Sequence, residues 1–174
     1  MKRKSQDMAL CGSMCALAVA IMAMGTLIPA ATYCCPVLAS MTLLPVLILC
    51  GEKLSWVLYA ASAILSLLLT PDKEAAAIFL ALGYYPIVKP KLDRKRKPAR
   101  LACKLLLFNL SVLAVYAALL FVLQMDALRQ EFSAMSTALL VLLLAGGNGL
   151  FLLDDALLGR LTPRVKTLCE RYKR

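Results

Sequence analysis

From Met8 to Cys50 the chain runs through 43 consecutive positions without Asp, Glu, Lys or Arg. A helix needs ~20 apolar residues to cross the ~30 Å hydrocarbon core of a bilayer. This stretch is long enough to cross twice, so it must turn back once. Pro29 and Pro36 bracket the expected turn, since proline removes a helix hydrogen bond. The segment between them, Pro-Ala-Ala-Thr-Tyr-Cys-Cys-Pro, reads as an apolar loop. The rest of the chain is built alike: 61% of its 174 residues are hydrophobic, 17% are charged, and the mean hydropathy is +0.78. Soluble domains hold about 45–50% apolar and about 25% charged residues. A water-soluble globule is therefore excluded, and so is intrinsic disorder, which requires low hydrophobicity.

Further apolar runs follow at Leu54–Thr70, Ala75–Val88, Leu101–Leu123 and Ala134–Leu153. With 8–28 and 30–50 they give six spans. All six are expected to be helices, because a backbone in lipid must satisfy its own hydrogen bonds. The alternation of a membrane β-barrel is absent. The expected fold is an all-α integral membrane protein: one domain over residues 1–174 with six transmembrane helices. Met8–Ile28 exceeds the 7–15 residues of a secretory signal core, so it is read as a retained helix.

Basic residues set the orientation. Lys2, Arg3 and Lys4 precede the first span, and Lys53 follows the second. Eight lie in a linker over 89–104: Lys89, Lys91, Arg94, Lys95, Arg96, Lys97, Arg100 and Lys104. Six lie in a tail over 156–174: Arg160, Arg164, Lys166, Arg171, Lys173 and Arg174. Six spans put all 18 on one side and only Lys73 and Arg129 on the other. Cytoplasmic loops carry the excess of Lys and Arg, so both termini are expected in the cytoplasm. The net charge of +10 then serves topology and attraction to anionic lipids, not nucleic-acid binding. The linker could also dock a partner.

Several chemistries are excluded by what is missing. The chain has no His, which removes His-based acid–base catalysis, Ser-His-Asp triads and His-ligated metals. Its seven cysteines form no CxxC, and most fall in apolar runs, where Cys acts as a small hydrophobe. Cys34-Cys35 lacks a second thiol pair on its side, so loop packing is its expected role. No GxxxxGK[ST] phosphate loop is present. The chain is expected not to be an enzyme and to use neither metal nor cofactor.

The polar and small residues that remain are candidates for function. Gly12, Ala16 and Ala20 repeat every four residues in the first helix. Such a row lets two membrane helices approach closely, either inside this bundle or against another protein. Asp72 follows Pro71 and is the expected N-cap of the fourth helix, with Glu74 in its first turn. Lys73 and Glu74 could instead meet a polar ligand. Asn109, Ser111 and Tyr116 lie in the fifth span. Asn148 lies in the sixth, within Gly146-Gly147-Asn148-Gly149, which reads as a Gly-rich break covered by protein or facing a cavity. Asn148 suits a ligand or an interhelical hydrogen bond. Asp154-Asp155 reads as an interfacial pair facing Arg160, Arg164 or the basic linker, with a proton or cation relay as the alternative. Tyr84-Tyr85 reads as a membrane-interface anchor.

Taken together, the short helices, both ends inside and the row Gly12-xxx-Ala16-xxx-Ala20 resemble the substrate-binding S component of an energy-coupling factor (ECF) transporter, in divergent or orphan form. The resemblance implies that Gly12, Ala16 and Ala20 dock a transmembrane coupling (T) subunit, which works with two cytoplasmic ATPases. It implies that the chain captures a vitamin or similar small molecule, and it makes Tyr33, Lys73, Glu74, Asn109, Tyr116 and Asn148 the substrate-binding candidates. The first outer loop has no Trp, and Trp56 is the only one in the chain, so no particular vitamin is assigned. A structural membrane protein of the cell-shape type has a similar layout and is the competing expectation.

Overall fold

The computed structural model describes residues 2–25, 31–94, 97–121 and 136–172. Among them there are helices and no strand: α1 (Lys2–Gly25), α2 (Ala31–Met41), α3 (Leu43–Leu49), α4 (Glu52–Leu69), α5 (Lys73–Leu82), α6 (Tyr85–Leu92), α7 (Lys97–Phe121) and α8 (Thr137–Tyr172). Four stretches are long and apolar enough to cross a membrane: Ser5–Gly25, Glu52–Leu69, Pro98–Ala117 and Val141–Arg171.

The second and fourth expected spans are each broken in two, for the same physical reason. A proline has no N–H for the carbonyl four residues earlier, and its ring clashes there. Pro45 lies four residues after Met41, where α2 ends, and Pro86 lies four residues after Leu82, where α5 ends. At the first break Thr42 turns back on Ala39, its Oγ1 donating to the Ala39 carbonyl at 2.7 Å. At the second, the Gly83 amide bonds the Phe79 carbonyl at 2.7 Å.

Three other expectations need correction. Ala31 through Pro36 is the start of α2 and not a loop, while residues 26–30 lie outside those described. The linker is short, because α6 runs to Leu92 and α7 already begins at Lys97. The glycines at 146, 147 and 149 do not interrupt α8, and the tail continues it to Tyr172. A helical glycine costs only ~1 kcal/mol relative to alanine, far less than unsatisfied backbone in lipid.

Two larger cores and a small cluster of Ala77, Ala81 and Val115 join the described helices. Ala18 and Met22 of α1 meet Cys35 and Ala39 of α2, Leu43 and Val46 of α3, Leu58 and Ala63 of α4, and Phe79 of α5. Leu44, Tyr85, Leu92, Phe108, Phe151 and Leu158 tie α3 and α6 to α7 and α8. Gly51, at φ +89°, makes the tight turn from α3 into α4, a conformation that favours glycine. Ser136 Oγ accepts from the Leu139 amide at 3.3 Å and caps the start of α8.

Candidate functional site

The polar contacts gather at one end of the bundle. The Cys50 thiol donates to Asp7 Oδ1 at 3.6 Å, which joins the start of α1 to the α3–α4 turn. Lys91 pairs with Glu52, joining α6 to α4. The start of α1, the α3–α4 turn and the end of α6 therefore meet at this charged end. Lys73 lies at the other end: its Nζ donates to the Leu67 and Thr70 carbonyls at 2.7 and 2.9 Å. The ammonium thus satisfies carbonyls left open where α4 stops.

A buried ion cluster holds the charged end together. Asp155 of α8 accepts from Lys89 of α6, from Lys104 of α7 at 2.8 and 2.9 Å, and from the Tyr85 hydroxyl at 2.5 Å. Lys89 also donates to the Asp155 carbonyl at 2.9 Å. Asp93 completes the set, taking a bond from Lys104 at 2.6 Å and lying 3.6 Å from Lys89. The Lys104 side chain is 3% exposed and that of Lys89 10%. Buried charges are tolerated when paired and hydrogen-bonded. All three protons of the Lys104 ammonium have acceptors, and two buried lysines face two carboxylates, with Arg100 Nε 4.0 Å from Asp93 at the exposed side. The arrangement locks α6, α7 and α8 together. Its carboxylates are occupied by lysines, so neither is free as a base or ligand. Among the described residues, no group of three or more His, Cys, Asp or Glu could hold a metal ion.

Lys89 and Lys104, counted with the basic linker, are both buried, and the pairing of Asp155 with that linker runs through them. A signal was there. Lys104 interrupts an apolar run, which demands a counter-charge. Asp154-Asp155 is the only acidic pair bordering an apolar run. Tyr85, read as an interface anchor, is fully buried and donates to Asp155. Asp154 stays outside the lock: its Oδ1 is buried and has no hydrogen-bond partner among the described residues.

The substrate-binding candidates do not converge on one place. Asn109 and Asn148 meet, and they do so as a closed pair. Each amide donates to the other's Oδ1, at 3.0 and 3.2 Å, and to the carbonyl four residues earlier in its own helix at 2.8 Å. All four N–H groups are consumed. Gly147 lies beside this pair, and its face admits the Phe108 ring: a Cβ there would stand 3.4 Å from Phe108 Cζ. Tyr116, two turns further along α7, packs against Ala77 and Ala81 of α5. Tyr84 bonds Ser111 at 2.6 Å, so α5 runs away from the Asn pair toward Lys73. By ~1.5 Å per residue, Lys73 stands roughly 15–20 Å further along the bundle. Asp72 accepts from the Ala75 amide at 3.0 Å as the N-cap of α5, and Glu74 sits in the first turn. The side chain of Tyr33 lies outside the described residues.

The Asn pair carries a measurable coupling. In a double-mutant cycle of Asn109→Leu and Asn148→Leu, the interaction energy is expected at ~0.6 kcal/mol and at most ~1.7. Reversible unfolding in mixed micelles measures it; additive single effects would mean that the two amides do not bond.

The small-residue row of α1 points away from the bundle. Gly12, Ala16 and Ala20 are exposed, and a Cβ on Gly12 would meet nothing within 4 Å. The packed side of α1 is instead Cys11, Cys15, Ala18 and Met22. Cys11 donates to the Leu54 carbonyl at 3.9 Å, and Ser62 bonds Cys15 at 3.6 Å, both on α4.

Comparison with protein-family models, with characterised proteins and with solved structures found no match.

Proposed function

We propose that this chain is the substrate-capture S component of an ECF-type importer for a vitamin-like micronutrient. On this reading it crosses the bacterial cell membrane six times, with the charged end in the cytoplasm. Each split pair, α2–α3 and α5–α6, then counts as one crossing. The observation that carries the reading is the outward row Gly12, Ala16 and Ala20, left free because α1 packs through Cys11, Cys15, Ala18 and Met22 instead. A close-approach face unused inside the bundle suits docking to another membrane helix. The end-to-end contacts Asp7–Cys50 and Glu52–Lys91 support one side for the basic segments. With no phosphate loop in the sequence, ATP would be hydrolysed by the partner subunits. The substrate would enter from the end that carries Lys73, Glu74 and Tyr33, with Tyr116 below them. Asn109 and Asn148 then act as the pair that fixes α7 to α8.

A mild-detergent pull-down from native membranes tests this, with mass spectrometry of proteins and small molecules. The expected result is a T-type membrane protein, two ATPases and a retained metabolite. Ala16→Leu with Ala20→Leu should remove these proteins while leaving thermal stability within about 0.5 kcal/mol, as for surface substitutions. Recovery of cell-envelope scaffold proteins with no ATPase and no ligand would replace this reading with the structural one.

A further inference from the structure

The last two turns before and after Pro163 present a face that the bundle does not use. Around α8, Leu157, Arg160, Arg164, Leu168 and Arg171 fall within one narrow stripe, given 100° per residue. All five are exposed, Leu157 at 41% and Leu168 at 64%. The adjoining face is packed: Leu158 is fully buried, with Leu161 and Val165 against the same core. That packing fixes the direction of α8 past the ion cluster. None of the three arginines pairs with a carboxylate among the described residues.

Three occupants compete for this stripe. A second copy is opposed by charge, since two such faces would set arginine against arginine. A lipid surface reaches Leu157 and Arg160, ~3 and ~8 Å past Asp155, but is opposed by reach for the rest of the stripe. The ion cluster at Asp155 marks the edge of the hydrocarbon, because charges avoid its interior. Leu168 lies 13 residues further, ~20 Å along the helix, and a headgroup layer spans only ~5–8 Å. An acidic helix is favoured by both terms: its apolar residues can meet Leu157 and Leu168, and its carboxylates can take the unpaired guanidinium groups that share the stripe in a two-pronged grip.

We propose that the projecting part of α8 docks an amphipathic helix of a partner protein whose apolar seam is lined by Asp and Glu. The inference rests on the membrane placement proposed above but not on transport. Trypsin cleavage at Arg160 and Arg164 in sealed inside-out vesicles checks that placement separately; cleavage from the opposite face alone would overturn both.

The test is photo-crosslinking of the full chain in its native membranes, with a benzophenone-bearing residue in place of Leu168. The expected adduct is a peptide with acidic residues at helical spacing. Arg160→Glu with Arg164→Glu should cut its yield at least tenfold at equal protein level, and Arg160→Lys with Arg164→Lys, which keeps the charge but loses the two-pronged grip, should leave an intermediate yield. Adducts to lipid or to a second copy, no adduct, or a yield untouched by charge reversal would overturn the proposal. Because these side chains are exposed, the variants fold; equal thermal unfolding of each is the control. Failure to recover ATPases in the pull-down would sink the importer reading and leave this result standing.

Discussion

Asp155→Ala is expected to cost ~3–5 kcal/mol, the range for breaking a buried ion pair by removing one partner. The cost arises from what remains. Lys104 and Lys89 stay almost wholly buried, and each loses its shared carboxylate. Asp93 answers only part of the two positive charges, and it is 35% exposed, so water weakens its pull. Tyr85 loses the acceptor of its buried hydroxyl as well. For a chain of this size ~2–4 °C accompanies each kcal/mol, so the unfolding midpoint should fall by roughly 6–20 °C in detergent, read by circular dichroism. The variant Lys89→Met, Lys104→Met, Asp155→Leu, with Asp93→Asn to keep the site neutral, should recover most of the loss, since a packed apolar replacement of a buried ion cluster is often neutral or stabilising. A midpoint within 2 °C of wild type for Asp155→Ala alone would mean that the lysines reach water.

The second large effect falls on a single methyl group. A Cβ on Gly83 would sit 2.5 Å from the Phe79 carbonyl oxygen and 2.9 Å from the Phe79 ring. Phe79 is fully buried and cannot step aside, and the carbonyl belongs to the last turn of α5. Gly83→Ala should therefore destabilise by ~1–3 kcal/mol, the range for overpacking. Gly146→Ala is the matched control. A Cβ there meets nothing within 4 Å, and removing a helical glycine should stabilise by up to ~1 kcal/mol. Equal midpoints for the two variants would show that the α5–α6 junction yields freely.

These effects separate what a sequence records from what packing decides. The break between α5 and α6 was legible: Pro86 forbids a bond to Leu82, and the same arithmetic from Pro45 ends α2 at Met41. The apolar runs were read as whole spans because their composition outweighed that local rule. That Asp155 could face the basic linker was legible too, but not that Lys89 and Lys104 are the two lysines it meets, nor that Asp93 joins them. They come from three helices separated by up to 66 positions, and only the fold brings them together.

By itself the sequence determined that the chain is helical and built of membrane-type apolar runs. Free energies of transfer and backbone hydrogen bonding leave no other solution for 43 uncharged residues in a row. It also set the ends of the elements, where proline, serine and aspartate act on their own neighbours. Only the tertiary structure decided which side of each helix faces inward. In α1 the rows Cys11–Cys15–Ala18–Met22 and Gly12–Ala16–Ala20 are both apolar, so no polar face marks the outside. Which row packs depends on the shape of α4 and α2 against it, and shape complementarity is a property of pairs of helices, not of one sequence segment.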